Sequence, residues 1–223
     1  MDPLATPPLN DADAPQPGGF PAMRTWEELT TPAPDPAGGT DDYAVMIETL
    51  RIFLDRVAAA KPDPATARRV TTQLGELSAE LEPLAVPERD QVFAHRTDLP
   101  GRGQTMSPRF EVVEGDAEHV LARVVFGRYF LGGNGAAHGG SIPLLFDEVL
   151  GRLANMGGRP RARTAYLNVN FRSITPIGEP LDVAAHVVKE DGRKRFLVGT
   201  LHHGDTLCAD AEGLFVELRP GQP

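Results

Sequence analysis

Along this chain the spacing of apolar residues changes character twice, and each change marks a boundary. Residues 1–39 are dense in Pro, Gly, Ala and Asp and show no sustained period, so too little apolar surface is available to offset ordering entropy. This predicts a disordered or loosely docked tail in which only Trp26 and Leu29 offer a short docking turn. Over 40–86 the period becomes helical. Asp41 and Asp42 are placed to cap a helix carrying Val45, Ile47, Leu50, Ile52, Phe53, Leu54 and Val57, which ends before Pro62. A second helix is predicted from Asp63 to about Glu82, with Pro64 in its first turn and Val70, Leu74, Leu77 and Leu81 on one stripe. The two form an amphipathic hairpin whose stripe must cover either the following domain or a second subunit.

Residues 87–107, with the turn Pro100-Gly101-Arg102-Gly103, read as a connector. Beyond it, over 108–220, the period is that of strands. Arg109 to Glu114 and His119 to Phe126 flank Gly115-Asp116 as a hairpin. Arg163 to Ile174 alternates Leu167, Val169 and Phe171 against Tyr166, Asn168 and Asn170, a half-buried strand. Pro180 to Lys189, Lys194 to His203 and Thr206 to Leu218 are joined by short glycine-containing links, which predicts an antiparallel meander. The order strand, strand, long helix, four strands predicts an α+β domain whose sheet wraps one helix.

That helix, Gly140 to about Asn155, follows the glycine-rich stretch GGNGAAHGG. On a helical projection Ser141, Glu148, Arg152 and Asn155 gather on one polar side, with Glu148 and Arg152 as an i,i+4 ion pair, and this side is expected to face solvent or a subunit edge. Asp147 falls instead among Pro143, Leu144, Leu150, Gly151 and Ala154, an apolar face where a carboxylate costs several kcal/mol unless partnered or used. It is either a structural acid accepting hydrogen bonds or a functional one, and Glu148 is second choice as a base. The backbone amides of Gly139 and Gly140, at the helix start, are candidates to hold a carbonyl oxygen that becomes an oxyanion. Asp147 lies about two turns further along, roughly 10 Å of rise. Amides and acid therefore converge on one carbonyl only if two chains combine.

Charge and composition narrow the function. A formal net charge of -9 disfavours a general nucleic-acid or anionic-membrane surface. Cys208 is the single cysteine, so an internal disulfide and a cysteine-based metal cluster are excluded; it reads as a small buried hydrophobe. His202 and His203, adjacent on a strand, point to opposite faces and cannot share a metal, so no metal site is expected. With no apolar run long enough to span a bilayer and no signal-type N-terminus, the expected location is the cytoplasm.

His138-Gly139-Gly140 followed by Asp147 and Gly151, then Thr164-Ala165-Tyr166-Leu167-Asn168-Val169-Asn170-Phe171 and Thr175-Pro176-Ile177-Gly178, resembles the hotdog-fold acyl-CoA thioesterases. Within them the chain is similar to the phenylacetate-type branch and the THEM4/THEM5-like group, from about Arg109 to Leu218. The resemblance implies a hotdog fold, a homodimer or higher oligomer and an acyl-CoA substrate, with coenzyme A part of that substrate and no separate cofactor. It implies Asp147 as general base or nucleophile, Gly139 as the amide that polarises the thioester carbonyl, Thr164 as the hydroxyl orienting water, and His138 as the residue ordering the turn. Gly140, Asn134, Arg163, Arg193 and Lys194 are the candidate substrate-binding residues, the cations for the phosphates of coenzyme A. Relatives often carry asparagine six residues before this histidine; here that position is Gly132. A non-catalytic acyl-CoA-binding module, a hydratase or dehydratase on the same fold, and a carrier-protein donor are the alternatives.

Overall fold

The computed structural model describes Trp26, residues 41–219 and Gly221. The first helix, α1 (Asp42–Ala59), begins where the Asp41 carboxylate accepts the Ala44 amide. The second, α2 (Pro64–Leu81), begins the same way, with Asp63 accepting from Thr66 and Pro64 in the first turn, where its missing N–H costs nothing. Both starts follow the capping chemistry. Helix α1 buries Ile47 and rests on the turn Arg128–Phe130, where the Asp55 carboxylate accepts the Tyr129 amide at 2.8 Å. Helix α2 buries none of its residues.

Six antiparallel strands make the main sheet. In chain order they are β1 (Phe110–Gly115), β2 (His119–Val125), β5 (Ala162–Phe171), β6 (Pro180–Asp191), β7 (Lys194–His203) and β8 (Thr206–Glu217), and across the sheet they run β1-β2-β6-β7-β8-β5. The β6-β7-β8 meander and the β1-β2 hairpin match the turn chemistry between them. A small hairpin, β3 (Leu131–Gly133) with β4 (Ala136–Ala137), lies just before the third helix, α3 (Ser141–Ala154). Its three-residue and two-residue strands are too short to leave a period in the sequence.

Helix α3 lies across β5, β6, β7 and β8 and supplies the centre of the core: Leu145, Phe146, Val149, Leu150 and Leu153 are fully buried against Val183, Leu201 and Phe215. Cys208 is one of these fully buried residues. Trp26 is also part of the core cluster, its indole N–H donating to the Asp116 carbonyl at 2.9 Å beside the β1-β2 turn. Leu29 and the rest of the expected 1–39 tail lie outside the described residues. No described helix is long and apolar enough to cross a membrane.

The 91–109 segment is less a linker than a cover. Arg96 bridges Asp41, the α1 cap, to Asp98, and Arg51 of α1 donates to the Gln104 carbonyl. The Arg96 guanidinium, and then the capped Ala44 amide, hold the Asp41 carboxyl below its ordinary range. A lowered folded-state value means the contact is complete above the unfolded value of about 3.9 and is lost as pH falls through the folded one. Amide exchange in α1, corrected for intrinsic rate, should therefore quicken in acid below about pH 4. The Asp41→Asn variant should show no such step.

Candidate active site

The acid singled out in the sequence stands where two elements meet. Asp147, in the middle of α3, accepts a hydrogen bond at 2.9 Å from the hydroxyl of Thr164, near the start of edge strand β5. A cleft of about 210 Å³ opens over this pair, lined also by Thr97, Arg102, Arg161, Arg163 and Phe215. A larger cleft of about 340 Å³ separates α1 from β1 and β2; it is the seam on which α1 rests, and neither Asp147 nor Thr164 lines it.

The covering of α3 departs from the helical-projection expectation at Asp147 and along the polar side. Asp147 is exposed in the protomer, within a strip of half-buried Pro143, Leu144 and Gly151. The expected solvent side is buried: Ser141, Glu148 and Arg152 retain only 4%, 7% and 4% exposure. The reason is the connector, which crosses this face and places Arg102 2.9 Å from Glu148, opposite the 2.7 Å bond from Arg152. Arg152 also lies over the Phe110 ring, 5.2 Å from its centroid. Gly101, Arg102 and Gly103 all adopt left-handed backbone, φ 62°, 60° and 66°. Two flanking glycines make that run accessible, and Arg102 accepts the strain that aims it at Glu148. Arg102 Nε and Arg152 Nη2 are nonetheless buried without a hydrogen-bond partner among the described residues.

At the other end of the helix, His138 orders the turn. Its Nδ1 accepts the Gly140 amide at 3.0 Å and its carbonyl accepts both the amide and the hydroxyl of Ser141. Gly140 was a candidate oxyanion donor, and this bond already occupies its N–H. The Gly139 N–H has no partner among the described residues, and the glycine faces the Phe171 ring at the far end of β5. The departure at Gly132 also has a steric cause: a Cβ there would stand 2.8 Å from the His138 Cα, so no asparagine fits against this turn. Asn134, with φ 49°, forms the exposed tip of the β3-β4 hairpin and does not line the cleft.

The cationic candidates separate in space. Arg163 lines the cleft together with Arg161, whose guanidinium is held below its ordinary value by burial first and then by the charges of Arg163 and Arg102. Such like-charge crowding favours an anion at the mouth. Arg193 and Lys194 lie two strands away, beyond Val216, with Arg193 donating to the Glu217 carbonyl at 2.7 Å. Their neighbour Arg195, the second residue of β7, is 2% exposed and donates at 2.8 Å to the Ala154 carbonyl at the end of α3. It serves the helix terminus. Arg102 escaped sequence reasoning as a cleft residue because only the path of the connector brings it there.

Residues 134–209 match the model of the Thioesterase superfamily. A crystal structure of a thioesterase superfamily protein is similar over 88% of this chain and 97% of its own, with 27% identity and a TM-score of 0.70. The fold is the hotdog fold, and the stretch 134–209 within it is similar to the Thioesterase superfamily. Among curated relatives, the acyl-coenzyme A thioesterase THEM4 of Bos taurus is 35% identical over 96 residues, which are 42% of this chain and 39% of that protein. THEM5 of Mus musculus is 30% identical over 95 residues, 42% of this chain and 38% of its own. The chain thus spans about two fifths of the length of the curated relatives it matches.

Glu148 is buried between two guanidinium groups, so removing its charge leaves both uncompensated. Glu148→Gln should lower unfolding free energy by about 3 kcal/mol, the scale for breaking a buried pair, as read by denaturant titration.

Proposed function

We propose that the protein hydrolyses an acyl-CoA thioester in a site shared between two copies of the chain. The observation that carries this is the placement of the two half-sites on β5. The Asp147-Thr164 pair stands at its start and the unpartnered Gly139 amide stands at Phe171, its last residue. About two turns of α3, roughly 10 Å of rise, separate the Gly139 amide from Asp147, too much for one carbonyl.

Strand β5 is also the edge of the sheet, with a free row of backbone donors and acceptors and with Tyr166 and Phe171 exposed at 39% and 58%. Antiparallel pairing of β5 with its copy, about a two-fold near its midpoint, would lay the Phe171 end of one chain beside the Thr164 end of the other. Each Gly139 then faces the Asp147 of the second copy, and two equivalent sites result. The acyl-coenzyme A thioesterase names of the relatives give the reading its substrate class.

In the proposed reaction the Gly139 N–H donates to the thioester oxygen as it gains charge. Asp147 acts on the same carbon, either removing a proton from an attacking water or attacking directly to form an anhydride that water then opens. The Thr164 hydroxyl, donating to one Asp147 oxygen, holds the other toward the carbon. The tetrahedral intermediate collapses with loss of the coenzyme A thiolate, which leaves as the thiol after protonation. Arg161 and Arg163 supply the positive charge that the phosphates need at the mouth.

Asp147→Asn should reduce coenzyme A release by 10²-fold or more, a loss on the scale of a removed general base. Because Asp147 is exposed and its described bond is to Thr164 alone, thermal stability should stay close to wild type. Near-normal turnover would refute the assignment, and tight acyl-CoA binding by the wild-type protein without free coenzyme A would favour a binding module instead. Thr164→Val should cost about ten- to a hundredfold, the worth of one hydrogen bond to a charged group. Hydrolysis in ¹⁸O water under single turnover separates attack by water, which labels the acid, from attack by Asp147, which labels the carboxylate of Asp147.

A further inference from the structure

The charge cluster beside Asp147 carries two guanidinium groups for one carboxylate. Arg102 and Arg152 both contact Glu148, and all three line the cleft that opens over Asp147. An arginine offers a carboxylate two parallel N–H groups on its Nε–Nη2 edge. Glu148 takes half of each edge. One of its oxygens accepts Arg152 Nε at 2.7 Å, and the other lies 2.9 Å from Arg102 Nη2. The remaining half of each edge, Arg152 Nη2 and Arg102 Nε, is buried without a hydrogen-bond partner among the described residues. Arg152 is itself only 4% exposed, so water screens its charge little. A second carboxylate-sized anion would satisfy both half-used edges and balance the surplus positive charge.

Position selects the anion. Asp147 and Glu148 are successive on α3, a step of about 100° and 1.5 Å that leaves their carboxylates roughly 9 Å apart. Both guanidinium groups touch Glu148, so they stand within roughly 12 Å of Asp147. A thioester carbon in contact with Asp147 is then about 6 Å from an anion in contact with the pair, a span of roughly five bonds of extended chain. The phosphates of coenzyme A lie beyond an arm of thirteen bonds from the thioester sulfur, about 15 Å at the same reach. They belong at the mouth, with Arg161 and Arg163. A carboxylate at the far end of the acyl group is of the right length for the inner pair.

We propose that Arg102 and Arg152 form a specificity site for a carboxylate at the end of the acyl chain, so that the substrate class is the coenzyme A thioesters of dicarboxylic acids. This rests on the hydrolytic reading above for where the thioester lies. Arg102, with 32% of its side chain exposed, is the member of the pair that the acyl group meets first, and its displacement toward that group uncovers Arg152. Glu148 keeps both guanidinium groups in place as the second carboxylate arrives. An uncharged acyl chain in the same position leaves the two nitrogens unpaired, and that difference is the source of selectivity.

Adipyl-CoA and hexanoyl-CoA test this, since both carry six acyl carbons and differ by the terminal carboxylate. For the full chain, kcat/KM should be at least tenfold higher for adipyl-CoA, the scale of a hydrogen-bonded charge pair. Arg102→Gln and Arg152→Gln should each bring that ratio to about one, and the partly exposed Arg102 carries the test if the Arg152 variant fails to fold. The same ratio, read as dissociation constants in the Asp147→Asn protein with and without Arg102→Gln, needs no turnover. A tenfold binding preference there, lost with Arg102→Gln, would keep the carboxylate site even if the wild type released no coenzyme A, which would refute hydrolysis alone. Release from both thioesters at a ratio near one would keep hydrolysis and overturn the site. An Arg102→Gln variant that weakens both thioesters equally would assign the pair to the phosphates of coenzyme A and likewise overturn the proposal.

Discussion

The charge of Glu148, held between Arg152 on its own helix and Arg102 on the connector, is the interaction on which the arrangement of this protein turns. A carboxylate at 7% exposure is tolerable only with opposite charge in contact. By accepting both guanidinium groups, Glu148 ties the connector to the helix at the centre of the hotdog domain. The bond has a steric counterpart in the left-handed run Gly101-Arg102-Gly103. It also has an unmet remainder, because one guanidinium nitrogen of each arginine stays without a partner among the described residues. The network therefore specifies where the connector lies more than it adds stability.

Fixing that face fixes the neighbouring one. With Glu148 and Arg152 turned under the connector, the next residue round the helix, Asp147, points to the open strip beside β5 and meets Thr164. The acid thus stays water-accessible in the protomer, beside an edge strand free to pair. His138 has the corresponding role at the helix start: it takes up the Gly140 amide and leaves that of Gly139. In both places a structural bond commits one residue and leaves its neighbour accessible.

Much of this was legible beforehand. The caps Asp41 and Asp63, the short glycine links of the meander and the helix after His138-Gly139-Gly140 are local features, and local chemistry sets them. The i,i+4 pairing of Glu148 with Arg152 was likewise legible, because it depends only on helical spacing. Its burial was not: a projection shows which residues share a side but not what lies across it, and here a non-repeating connector does. The same limit hid the role of Arg195, which spacing places on a strand and the fold aims at the last carbonyl of α3.

The glycine-rich turn and the acid were visible in the sequence as a pair too far apart along one helix to share a carbonyl. That followed from helical rise alone. The sequence by itself thus determined the main helices and strands and their order, and it singled out Asp147 and Gly139 by spacing and side-chain type, with Thr164 indicated by the resemblance. Only the tertiary structure decided which face of α3 is covered, which glycine amide is free, and which arginines crowd the cleft. Those depend on segments distant in sequence arriving at the same place, and no local pattern encodes such an arrival.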